Sequence, residues 1–107
     1  MSGPTDAHEP ELLDALGERY LLAVERVSTG DLDRAEDLLR DILRQEPRLA
    51  EPNLTLGRLL LDTQRLEPAE EHTRTALAIL QDEGQWTEEV PEDVVLSIAH
   101  AQLAEIL

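Results

Sequence analysis

The sequence predicts an all-α fold of five helices packed as antiparallel neighbours, with no strand and about 70% helix or more by the extent of its periodic stretches. Three observations point there. Leucine and alanine dominate the apolar residues, while Tyr20 and Trp86 are the only aromatics and phenylalanine is absent; this suits closely packed helices rather than a sheet. Five stretches place apolar residues three and four apart, the spacing of one helix face. Finally, sliding the chain by 34 residues brings Ala35 onto Ala69 and Leu22-Ala23 onto Leu56-Gly57, the mark of a repeated unit.

The first helix runs from about Pro10 to Ser28. Pro10 suits a first helical turn, and Glu9 and Glu11 suit its positive dipole end. Leu13, Leu16, Tyr20, Val24 and Val27 form its apolar face, and Gly30 ends it. Asp31 caps a second helix reaching about Gln45, with Leu32, Ala35, Leu38, Leu39, Ile42 and Leu43 inside and Pro47 beyond. The third runs from about Glu51 to Thr63, with Pro52 in its first turn and Leu56, Leu59 and Leu60 on one face. The fourth, from about Glu67 to Gln81, starts with Pro68 and buries Ala69, Ala76, Leu77 and Leu80. Residues 82–90 read as a loop by composition. Pro91 then opens a fifth helix patterned by Val94, Val95, Ile98, Ala101 and Leu103.

Charge narrows the function. The chain of 107 residues has nine arginines, no lysine and no cysteine, and a formal charge of −15. Without cysteine there is no disulfide, thiol nucleophile or cysteine-ligated metal. Without lysine there is no Schiff base and no P-loop. Nucleic acid and anionic membrane surfaces would be repelled. The acidity sits at the ends: residues 1–18 hold five acids and residues 82–107 seven, with no base in either segment. Recruitment of a basic partner, plain solubility and adaptation to high salt are three readings of that imbalance. No stretch approaches a membrane span and the start carries no secretory or lipidation motif, so the expected address is the cytoplasm.

The repeat has further detail. Gly30-Asp31-Leu32-Asp33-Arg34-Ala35-Glu36 falls on Gln64-Arg65-Leu66-Glu67-Pro68-Ala69-Glu70. A 34-residue helix–turn–helix period resembles the tetratricopeptide repeat family, with about two and a half degenerate repeats. The first unit keeps Leu22-Ala23, Gly30, Ala35, Leu39 and Pro47; the second keeps Leu56-Gly57, Leu60, Ala69 and Ala76. Arg19, Arg26, Ile42, Asn53, Thr73 and Gln81 depart from the family pattern. The expected organisation is an acidic flexible N-terminus over 1–9, then a superhelical domain over 10–107. Within it, repeat one spans about 16–49, repeat two about 50–83, and a capping or half-repeat helix 91–107. Gly57 and Ala69, like Ala23 and Ala35, would stand where two helices cross closely.

The resemblance implies a concave groove lined by the first helix of each unit: Tyr20, Val24 and Val27, then Leu54, Arg58 and Leu61, then Leu96, His100 and Leu103. It further implies a non-catalytic protein–protein adaptor or scaffold presenting that apolar groove to a partner peptide or helix. The alternative is a self-assembling module that buries the groove or its last helix in a homodimer. The family's chaperone-binding members clamp a terminal carboxylate with lysine, asparagine and arginine, where this chain has Tyr20, Val24 and Thr55. That clamp should therefore be missing. Arg58 reads either as the groove's polar hook or as half of an ion pair with Asp62, one turn on.

No constellation favours catalysis, a cofactor or a metal. His8, His72 and His100 are far apart, and His72 beside Glu70-Glu71 reads as solvated. The acid pairs Glu70-Glu71 and Glu88-Glu89 lack a shared cleft. Trp86 reads either as an exposed anchor for a partner or as a lid over the seam between the fourth and fifth helices.

Overall fold

The computed structural model describes residues 10–107, so the acidic N-terminal segment and His8 lie outside the described residues. Five helices follow in order: α1 Pro10–Thr29, α2 Leu32–Gln45, α3 Ala50–Asp62, α4 Leu66–Asp82 and α5 Glu92–Ile106. Among the described residues there is no strand, and 80% are helical. Each helix begins and ends within a residue or two of its expected bounds, because prolines, glycines and turn residues punctuate the chain where periodicity stops.

The turns after α1 and α3 share one construction. Gly30 has φ +85°; its N–H donates to the Val27 carbonyl at 3.1 Å and that of Asp31 to Arg26 at 2.9 Å. Thirty-four residues on, Gln64 takes φ +67°, with its N–H on Leu61 at 3.0 Å and that of Arg65 on Leu60 at 2.9 Å. Both are left-handed helix stops whose paired bonds satisfy the last free carbonyls. In the second the chain spends an L side chain on a conformation that glycine adopts without steric cost.

The helices pair in sequence: α1 on α2, α2 on α3, α3 on α4 and α4 on α5, with α3 also touching α1 and α5. Nine of the thirteen α3 residues are buried, so α3 is the axis of the fold. One apolar cluster joins Ala23, Ala35, Leu39, Leu56, Leu60 and Ala69. A second joins Ala50, Leu54, Ala76, Ile79, Leu80, Val95 and Ala99. Ala23, Ala35, Ala69 and Ala76 are fully covered, as close helix crossing requires. α5 seals the outer side of α3 and α4, where an unstacked repeat would expose its core.

Close approach is sharpest at Gly57. A Cβ there would stand 2.6 Å from Thr73 Oγ1 and 2.9 Å from Gln102 Nε2. The space holds a buried chain of hydrogen bonds. The Thr73 hydroxyl donates to the Ala69 carbonyl at 2.7 Å, while the Gln102 amide donates to Thr73 Oγ1 at 2.8 Å and to the Leu54 carbonyl at 3.0 Å. This chain ties α3, α4 and α5 together, and each buried polar group in it has a partner, as low-dielectric burial demands.

His72 differs from expectation. It is half-buried rather than solvated, with Nδ1 2.9 Å from Asn53 Oδ1. Asn53 is buried in turn and donates to the Pro47 and Leu49 carbonyls at 3.1 and 2.9 Å, closing the turn into α3. Burial, with the Arg40 charge adding and Glu71 opposing, holds the His72 imidazole below its ordinary value.

Trp86 also lies elsewhere than expected. It packs with the cluster of Leu16, Ile42 and Leu49, with its ring 5.7 Å from that of Tyr20 at 55°. The loop after α4 thus folds back to α1 instead of covering the α4–α5 seam. Glu51, buried at the start of α3, holds it there: its carboxylate accepts the backbone N–H groups of Trp86 and Thr87, each at 2.8 Å, and the Thr87 hydroxyl at 3.2 Å.

Candidate functional site

A concavity of about 460 Å3 lies between α1 and α5 with α3 as its floor. Tyr20 and Val27 reach it from α1, and Leu54, Thr55, Arg58 and Leu59 from α3. Val95, Ile98, Ala101, Gln102 and Glu105 reach it from α5, and Val90 from the preceding loop. These positions follow from helical spacing. Leu54, Thr55 and Arg58 share the side of α3 that faces the hollow, Leu54 itself being buried, while Leu56 and Leu60 point into the core. On α5, Val95, Ala99 and Gln102 turn inward, which leaves Val94 and Ile98 exposed at 42% and 49%.

The groove's polar groups engage one another. The Tyr20 hydroxyl and Thr55 Oγ1 stand 2.8 Å apart. Burial pushes the Tyr20 hydroxyl above its ordinary value; the Thr55 bond opposes this, and the charges of Glu51 and Glu89 add to it. Arg58 donates through Nη1 to Glu105 at 2.8 Å, and its Nε lies 3.2 Å from Asp62 Oδ1. The bond to Glu105, opposed by partial burial and aided by Asp62, raises the guanidinium further above its ordinary value.

Of the nine residues assigned to the groove from sequence, the structure brings four together in it: Tyr20, Val27, Leu54 and Arg58. Val24 is exposed on α1, one turn beyond Tyr20, and His100 is exposed on α5. Leu61 packs beside the cluster around Leu56, and Leu96 and Leu103 pack beside the cluster shared by α3, α4 and α5. On α5 the residues facing the hollow are Val95, Ile98, Ala101, Gln102 and Glu105. Carrying the 34-residue register across the loop rotates this helix by part of a turn. Ile98 stands in the helical pattern of α5, but nothing in its spacing separates it from Leu96.

Among the described residues, no three histidine or acidic side chains gather in a way that could hold a metal ion. Nor is any helix among them long and apolar enough to cross a membrane. The arrangement offers an apolar trough with charged margins.

The comparisons agree with this architecture. The sequence profile of the tetratricopeptide repeat family matches residues 26–88. The chain belongs to that family, whose members generally serve in protein–protein interaction and are typically non-enzymatic. It resembles the crystal structure of a tetratricopeptide repeat domain protein from Salinibacter ruber, at a TM-score of 0.73 and 20% identity, over 85% of this chain and 93% of the other. A solution NMR structure of a tetratricopeptide repeat domain protein from the same organism superposes at 0.68, also with 20% identity, over 95% and 90% of the two chains. None of the curated proteins matches the chain.

Proposed function

We propose that this chain is a non-catalytic protein-binding adaptor whose groove between α1, α3 and α5 receives an apolar segment of a partner. The observation that carries the reading is the trough itself. α5 seals the core with one face and leaves Ile98 49% exposed in the hollow, and α1 brings Val27, 36% exposed, to the other wall. Apolar side chains lined up on both walls of one hollow suit the i, i+3, i+4 anchors of an amphipathic helix.

A displayed peptide library panned against the wild type and against Ile98→Glu tests the reading, with sedimentation over a concentration series run alongside. The expected result is a monomer that enriches apolar-patterned peptides, with Ile98→Glu enriching none. A dimer that Ile98→Glu dissociates would replace the adaptor with the homodimeric module. A monomer that enriches no peptide would refute both.

A further inference from the structure

Tyr20 belongs to two hollows. Besides the groove it lines a neighbouring one of about 480 Å3, formed where the loop carrying Trp86 folds onto α1, with Asp14, Glu18, Leu21 and Glu89 around it. We propose that the segment taken by the groove is cationic as well as apolar. A lysine or arginine of that segment stands against the Tyr20 and Trp86 rings among the carboxylates of Asp14, Glu18 and Glu89. The inference rests on the adaptor reading and names its partner's chemistry.

Charge complementarity carries it. Three acids and no arginine line this second hollow. In the groove, Glu51, Asp62 and Glu105 face Arg58 alone, and Asp62 and Glu105 already hold that arginine. Asp14 and Glu18 are one turn apart on α1, a like-charge pair that weakens a helix, and the next position in that row is Leu22 rather than a base. The arginines of the outer helix α2 – Arg34, Arg40 and Arg44 – each pair with an acid on that helix or at its cap, and Arg74 pairs with Glu70 on α4. α5 holds no arginine. The two rings add to the acids, since an aromatic face attracts a cation and the methylene stem behind the charge can lie along Leu21.

The same count disfavours a second copy as occupant. Among the described residues, eight of the nine arginines stand within ion-pair distance of an acid. A second copy would therefore bring mostly acid to acid.

Three synthetic amphipathic peptides test the proposal. They share one leucine pattern and carry lysine, glutamine or glutamate at the remaining places. Binding is read by calorimetry and by the NMR signal of the indole N–H of Trp86, the single tryptophan. The lysine peptide is expected to bind about tenfold tighter than the glutamine peptide and to shift the Trp86 signal. Combining Asp14→Asn, Glu18→Gln and Glu89→Gln should abolish that preference. Removing three exposed acids of the outer helices by Asp37→Asn, Glu67→Gln and Glu71→Gln should change affinity less than about twofold, as charges away from the contact do. Equal affinity for the lysine and glutamine peptides would overturn the cationic site while leaving the apolar adaptor standing. Equal losses from the two triple variants would overturn it in favour of diffuse net charge. Failure of all three peptides to bind would remove the adaptor reading and this inference with it.

Discussion

Gly57→Ala is the substitution on which the packing argument can be tested most severely. The added methyl would stand 2.6 Å from Thr73 Oγ1, 2.9 Å from Gln102 Nε2 and 3.2 Å from the Ala69 carbonyl. These neighbours have little freedom to yield. Thr73 is fully buried and bonded to its own helix, and the Gln102 amide spans Thr73 and the Leu54 carbonyl at 3% exposure. Overpacking of this kind costs about 1–3 kcal/mol. Pulling Gln102 off Thr73 leaves buried polar groups short of a partner, a further cost of about 1–3 kcal/mol. Alanine's better helix propensity offsets about 1 kcal/mol of this. The net expectation is a loss of about 2–3 kcal/mol, which in a domain of this size lowers Tm by roughly 10–20 °C. Urea and thermal unfolding followed by circular dichroism measure it. In a Thr73→Ala background the blocking hydroxyl is gone, and the same Gly57→Ala change should cost at least about 1 kcal/mol less. If Gly57→Ala is as stable as the wild type or more so, helix propensity outweighs the crossing, and the account of α3 against α4 and α5 is wrong.

Gln64→Gly should stabilise the chain by about 0.5–1 kcal/mol in urea, because it relieves a left-handed L residue at some cost in chain entropy; no gain would mean that the turn carries no strain. The His72 imidazole, held below its ordinary 6.5 first by burial and then by Arg40, binds its proton less readily folded than unfolded. Its contribution is therefore fully present above about pH 6.5 and declines as pH falls further, and a wild type whose pH slope there equals that of His72→Gln would refute this. With its acidic ends free of bases, the chain should show a Tm that rises in sodium chloride from about 0.01 to 1 M as the screening length shortens; a flat or falling curve counts against self-repulsion. Arg58→Ala removes ion pairs whose side chains are about half exposed, 47% and 54% for Arg58 and Glu105, so stability should stay within about 1 kcal/mol by urea unfolding. It also frees two carboxylates, so the lysine peptide should bind more tightly by calorimetry, whereas an Arg58 that hooks the partner would require weaker binding.

The helices and their order are legible in the sequence because each stop has a local chemical cause. Gly30 and Pro47 end α1 and α2, Pro52 and Pro68 sit in the first turns of α3 and α4, and apolar spacing supplies the rest. What escapes is whatever depends on rotation or on a partner distant in sequence. α5 carries apolar residues around much of its circumference, from Val94 through Leu96 to Ile98 and Leu103, so its spacing does not say which of them faces the groove. Asn53 and Thr73 look like lapses from the repeat pattern. Their buried hydrogen bonds to Leu49 and Ala69 show polar side chains closing a turn and bridging a crossing. His72 sits next to Glu70 and Glu71 in sequence but faces Asn53 of α3, and proximity along the chain says nothing about that. Trp86 has no periodicity to place it, and its position on α1 comes from the Glu51 carboxylate, 35 residues away.

That carboxylate has a consequence for how the chain comes apart. A stacked-repeat protein behaves nearly as a one-dimensional array in which each unit feels only its neighbours, so the ends open first and independently. Here the segment after the second repeat is fastened at Glu51 and lays Trp86 on Leu16 and Tyr20 of the first. The stretch leading into α5 is thereby bound to α1, and the array is closed into something like a ring of contacts. Detaching α1 therefore disturbs the loop that leads into α5. Amide exchange in α1 and α5 should then approach the rate set by global unfolding instead of showing the graded opening of an open-ended stack.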